Sequence, residues 1–190
     1  MNYKELYHIA LLLISSPSRA WEEIRLIEDK QQVFIAFVYP MIGLCGLSVF
    51  VGSLLVKGWD GPQSFQYAMT ECCAIAVSLF GGYFLAAYLI NELRIRLFGQ
   101  ESDLPLVQQF VGYAMVVLFL LHIILGVLPG FHIIALFLQF YTVCVVWKGV
   151  YLLIPITERT QLRLTIVVSV LLILCPWAIG LLFNFLTSTL

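Results

Sequence analysis

Three ionisable side chains stand at the edges of, or inside, otherwise uncharged stretches: Glu71, His122 and His132. Cys72 and Cys73 follow Glu71 directly, and the two histidines flank Pro129-Gly130. Carboxylate, imidazole and thiol are the donor types that hold zinc. Sequence-readable metal motifs also carry a local ligand pair, such as two His at i,i+4, and none occurs here. The plainer reading is a set of interfacial residues with wet polar tips. Lys148, within "VVWKGVYLLIP", is the cation in the middle of an apolar run. At a rise of 1.5 Å per residue its ammonium lies roughly 9 Å from the end of its helix, close enough for its stem to snorkel to the interface. Pairing with Glu92 or Glu158 is the alternative. Pro176, Gly180 and Asn184 recur at i,i+4. A kinked packing face explains them, since Pro176 removes one helical donor; a transport path, with Asn184 and Lys148 as its polar groups, is the other reading.

Hydrolytic chemistry finds little to use. There is no Gly-x-Ser-x-Gly, no His-Glu-x-x-His and no phosphate-binding loop. No Asp falls in a membrane-length apolar segment, and Ser48, Ser78 and Ser169 have no His nearby in sequence. A non-enzymatic protein without a cofactor is expected.

The elements that position these residues follow from composition. The chain of 190 residues is 62% hydrophobic and 11% charged, against roughly 45–50% and 25% for soluble domains, and its mean hydropathy is +0.99. Residues 31–56, 72–91, 104–147 and 164–190 contain no Asp, Glu, Lys or Arg. A spanning helix needs about 20 apolar residues, so the third stretch is a hairpin turning at "LPGFH", where Pro and Gly meet. The spacing predicts an all-α polytopic membrane protein with five transmembrane helices, at about 33–56, 69–91, 108–128, 131–154 and 165–187. Residues 1–32 form a separate cytoplasmic part, and 33–190 the bundle. The apolar run 9–14 is shorter than the roughly 7–15 residues of a signal-peptide core, so the first span is expected to direct the chain to the cell (inner or plasma) membrane.

Lys and Arg favour cytoplasmic loops. With five spans, Lys4, Arg19, Arg25, Lys30, Arg94, Arg96, Arg159 and Arg163 share one side, and Lys57 alone takes the other. The amino terminus is therefore expected in the cytoplasm and the carboxyl terminus outside. The net charge is −1 and like charges form no block, which argues against nucleic acid as a partner. The lipid bilayer and other membrane proteins remain. The five cysteines all fall in apolar segments, where Cys behaves as a small hydrophobe.

Residues 3–14 and 17–30 read as short amphipathic helices at the cytoplasmic interface. Ser16 before Pro17 marks a helix start. Ala20, Trp21, Ile24 and Ile27 then share an apolar face, with Trp21 expected at the headgroup level. Arg19–Glu23 and Arg25–Asp29 have i,i+4 spacing. This second helix reads as a lid on the inner end of the bundle, or as a partner-docking helix. In the second span Ala74, Ser78, Gly82 and Ala86 make an i,i+4 ladder of small residues, which lets membrane helices approach closely. Packing within the monomer is the first use of such a ladder, and a homo-oligomer contact is the second. Ser48 and Gly52 repeat the spacing in the first span.

The order of parts resembles a known family. Pro17, Ala20 and Trp21 open a short helix before the first span; "NELRIRLFGQESD" (91–103) follows the second; Gly112-Tyr113 lies in the third, which ends in "LGVLPG" (125–130). Over roughly residues 8–185 this is similar to the Yip family, the Ypt/Rab-interacting membrane proteins, and most like its small bacterial branch. The resemblance implies five spans and a cytoplasmic amino terminus. Eukaryotic members bind lipidated Rab GTPases in vesicle traffic, but their Asp-Leu-x-Gly-Pro element is missing before the first span here, and "DGP" at Asp60-Gly61-Pro62 falls on the outer side. The resemblance points to a membrane adaptor or organiser that binds other membrane components.

Overall fold

The computed structural model describes residues 3–27, 29–30, 32–59, 61–99, 101–153 and 158–188. Asp60, Gln100, Ile154 at the expected end of the fourth span, and the side chain of Glu158 lie outside them. The described residues are helical throughout, without strands. Two short helices come first, α1 (Tyr3–Ser15) and α2 (Pro17–Arg25). A π-helical segment, Phe34–Val38, leads into α3 (Tyr39–Lys57). The longest helix is α4 (Pro62–Phe98), which stops where Gly99 takes a left-handed backbone (φ +59°) that only glycine adopts without strain. The third apolar segment is α5 (Leu104–Ala114) and α6 (Val116–Val127), separated at Met115. After a 3-10 turn at Pro129–Phe131 come α7 (His132–Leu138), α8 (Tyr141–Leu153) and α9 (Glu158–Ser188).

Among the described residues, four helices or helix pairs are long and apolar enough to cross a membrane: Phe34–Lys57, Pro62–Arg96, Leu104–Val127 and Gln161–Ser188. The α7–α8 pair, taken as one span, makes five, and it is bent by 40° at residues 139–140. The sequence predicts one fourth span at about 131–154, and the bend falls inside it. The physical difference is that Ala135 is the buried residue of α7, whereas five residues of α8 are buried; α8 follows the bundle and α7 leans away from it.

The core is built where small residues let backbones meet. On α4, Ser78 donates its hydroxyl to the Pro176 carbonyl at 2.5 Å, and a Cβ on Gly82 would lie 2.6 Å from the Pro176 Cα. Ala86 is fully buried and Ala74 nearly so. The ladder thus faces α9 of the same chain. Between α3 and α6, a Cβ on Gly52 would overlap the Gly126 carbonyl, and the Cys45 thiol reaches the Phe119 oxygen at 3.2 Å.

Candidate functional site

Trp21 does not offer its ring to lipid. It is completely buried. Pro17 opens α2 at its first turn, Ser16 takes the N-cap position without a side-chain cap bond, and Ala20, Trp21 and Ile24 face inward. The indole stacks on Phe110 of α5 at 5.4 Å and meets the Tyr113 ring edge-on at 6.5 Å. Its Nε1–H donates to the Val145 carbonyl of α8 at 2.9 Å. The indole fits because Gly149 has no side chain; a Cβ there would come within 2.6 Å of the Trp21 ring. Burying an aromatic ring and satisfying its one donor together stabilise this placement. Gly112 plays a parallel part: a Cβ on it would lie 2.8 Å from Val38 and 2.9 Å from Val33. Pro17, Trp21, Gly112 and Tyr113, distant in sequence, thus belong to one junction where the amino-terminal helices meet the bundle.

The rest of the amino-terminal part is tied to the same junction. The Tyr141 hydroxyl donates to the Ile14 carbonyl at 2.6 Å, and Gln109 donates to the Ile24 carbonyl at 3.3 Å. Glu23 turns to His8, 3.6 Å away, and no Arg19–Glu23 pair forms among the described residues. The helix ends at Arg25, so Arg25 and Asp29 do not share a helical face. Further on, Lys30 Nζ meets Asp103 Oδ2 at 3.1 Å. Asp103 also caps α5, accepting from the Leu106 N–H at 3.0 Å. Burial pushes its carboxyl up, but the Leu106 N–H, Lys30 and Arg94 prevail and hold it below the usual carboxylate range. Asn91 Nδ2 reaches Ser102 Oγ at 3.1 Å. Beside the Trp21 junction, α1, α2, the π-helical segment and α5 line a cavity of about 470 Å³.

A second cavity, of about 610 Å³, opens between α4, α6, α7 and α9. It gathers His122, His132 and Asn184 with Ser78 and Gln139. His122 Nδ1 is 2.8 Å from the Leu118 carbonyl, which can only accept, so this nitrogen carries the proton. Glu71 is on another part of α4, beside Tyr67, and no group of three or more His, Cys, Asp or Glu able to hold a metal occurs among the described residues. Lys148 is exposed on α8 and does not line this cavity. Glu92 is engaged by Arg96 at 2.6 Å, so the Lys148–Glu92 pair does not form.

One group of residues had no clear sequence signal. Gln161, Thr165 and Ser169 form a buried polar stripe along α9, and Thr142 of α8 is buried too. Gln161 Nε2 and the three hydroxyls have no hydrogen-bond partner among the described residues. Their i,i+4 spacing is visible in the sequence, but it runs through the start of an apolar segment and reads as ordinary helix surface.

No curated protein and no solved structure matches the chain significantly. A family model does: the Yip1 domain, over residues 11–189. That match spans the Trp21 junction, the larger cavity and every membrane-length helix, and the chain belongs to the Yip1-domain family of integral membrane proteins.

Proposed function

We propose that this protein is a non-enzymatic adaptor or organiser of the cell membrane. Residues 1–32 form its cytoplasmic part and 33–190 a five-span bundle, with the amino terminus inside and the carboxyl terminus outside. The observation that carries the reading is the burial of Trp21 and its bond to Val145. A helix held by its own core is not free to sink into lipid. Its other face, with Arg19, Glu22, Glu23 and Arg25 exposed, is presented in one fixed orientation. Preorganisation of this kind reduces the ordering cost of binding. The ladder Ala74, Ser78, Gly82 and Ala86 serves the monomer's α4–α9 seam, and the junction formed by Pro17, Trp21, Gly112 and Tyr113 holds the presented helix.

The test is site-specific photo-cross-linking in living cells. A photoreactive residue at Glu22 should give discrete adducts with membrane proteins, and one at the buried Ala20 should give none. Adducts with lipid alone at Glu22 would remove the reading.

A small transporter or channel is the second reading, favoured by the cavity that holds His122, His132 and Asn184. Lys148 takes no part in that cavity. Purified protein in liposomes separates the two: the adaptor supports no substrate-specific flux, and a transporter does.

A further inference from the structure

The inner cavity has a definite chemical character. Its exposed rim carries Glu5, His8 and Glu23. Ile27, Val33 and Ala36 give it an apolar wall. At its inner end are Gln109 and Tyr113, each only 2% exposed. The Tyr113 ring is fixed by Phe37, 4.8 Å away, and by Trp21. Its hydroxyl makes no hydrogen bond with any described residue, and the residue lines the cavity. The hydroxyl of this cavity-lining residue has both its donor and its acceptor capacity unused, so a ligand's donor can bond to its oxygen. Gln109 uses its amide N–H on Ile24, which leaves its carbonyl oxygen as an acceptor beside it.

Acceptors within, carboxylates at the rim and an apolar wall between them suit one shape: an alkyl stem ending in a cation. Lysine and arginine side chains have this form, because their stems bury along apolar surface while their charged heads seek polar partners. The cavity opens at the end of the bundle assigned to the cytoplasm, where neighbouring membrane proteins concentrate their own Lys and Arg.

We propose that this cavity receives a Lys or Arg side chain from the juxtamembrane cytoplasmic segment of another membrane protein. Glu23, beside His8 on the rim, draws the cation in through its charge, and Tyr113 and Gln109 accept the hydrogen bonds of the seated head. The proposal rests on the adaptor reading and on its inward amino terminus, and it names the chemistry that the adaptor recognises.

The test uses the full chain in phosphatidylcholine nanodiscs. The probe is a fluorescent 12-residue peptide of Leu, Lys and Arg, and its control has the same sequence with acetyl-lysine and citrulline. Saturable binding of the basic peptide is expected, about tenfold weaker for the neutral control and, at low salt, for Glu23→Gln, since removing a rim charge lowers the on-rate. Tyr113→Phe should weaken it about threefold, the loss of one hydrogen bond. Glu23 is exposed, and Tyr113→Phe keeps the ring contacts, so both variants should melt like the wild type. Binding of the neutral peptide, or of either variant, within twofold of the reference would overturn the proposal. So would displacement of the peptide by spermidine at equal affinity, or by phosphatidylethanolamine in the discs, which would give the cavity to a free polyamine or to a lipid amine. If the peptide result is negative and Glu22 still cross-links to membrane proteins, the adaptor reading stands without this cavity; if both fail, both fall.

Discussion

The indole N–H of Trp21 and the carbonyl oxygen of Val145 are 2.9 Å apart and 124 positions apart in the chain. This one bond turns a nine-residue helix, too short to be stable alone in water, into part of the bundle. The void that receives the ring exists only because position 149 is glycine. Gly149→Ala should therefore cost about 1–3 kcal/mol by overpacking, and Trp21→Ala about 3–5 kcal/mol by leaving a cavity. Thermal melts in detergent, with Trp fluorescence as a second readout, would check both. A Gly149→Ala protein with unchanged stability would contradict the described junction.

Gly82 faces Pro176 with no room for a side chain. Gly82→Leu should separate α4 from α9 and lower the yield of folded protein, while Gly82→Ala should cost about 1–3 kcal/mol. Light scattering of the purified variants should show an unaltered oligomeric state. A change of oligomer without loss of stability would instead assign the ladder Ala74, Ser78, Gly82 and Ala86 to an intermolecular contact.

Asp103 links the amino-terminal part to the third span. Its folded pKa is depressed, so it stabilises the protein fully above the unfolded value of about 3.9. That stabilisation is lost as pH falls through the lower folded value. Asp103→Asn keeps a capping side chain and removes the charge. The wild type should melt higher than Asp103→Asn near pH 6, and the gap should close as the pH drops below about 4. Asp103→Ala, which loses the cap as well, should cost a further 0.5–2 kcal/mol or so.

Lys148 is exposed and carries no ion pair among the described residues. Lys148→Met should leave the melting temperature nearly unchanged, within about 0.5 kcal/mol of stability. A large loss would show that its ammonium has a buried partner.

With the α7–α8 pair as a fifth crossing, the proposed arrangement puts the two termini on opposite faces. A phosphatase reporter fused after Leu190 should be active, because it requires export, and one fused before Met1 should be silent. The reverse result at the carboxyl end would make the α7–α8 pair a re-entrant hairpin.

Much of this architecture was legible in the residues. Runs without charge gave membrane-length helices, and the Asp103 cap and the Pro17 helix start are local features that need no tertiary knowledge. The four residues of the family-like motif, Pro17, Trp21, Gly112 and Tyr113, were also visible, but not their convergence. The apolar stripe of α2 looks the same whether it meets lipid or protein, and what decided between them was a missing Cβ at Gly149, 128 positions beyond Trp21. The larger cavity was half legible: His122, His132 and Asn184 stood out as polar groups in apolar helices, yet their grouping depends on how α6, α7 and α9 cross. Lys148 stood out for the same reason, and the structure leaves it on the periphery. The bend at residues 139–140 has no Pro or Gly to announce it.

Two ties meet α8 one helical turn apart: the Tyr141 hydroxyl grips the end of α1, and the Val145 carbonyl receives the indole of α2. Both lie just past the bend. Force applied to the α1–α2 hairpin is thus delivered in part to a single turn of α8, inside the helix pair that is already bent, and the hairpin acts on the membrane domain as a handle acts on a jointed rod.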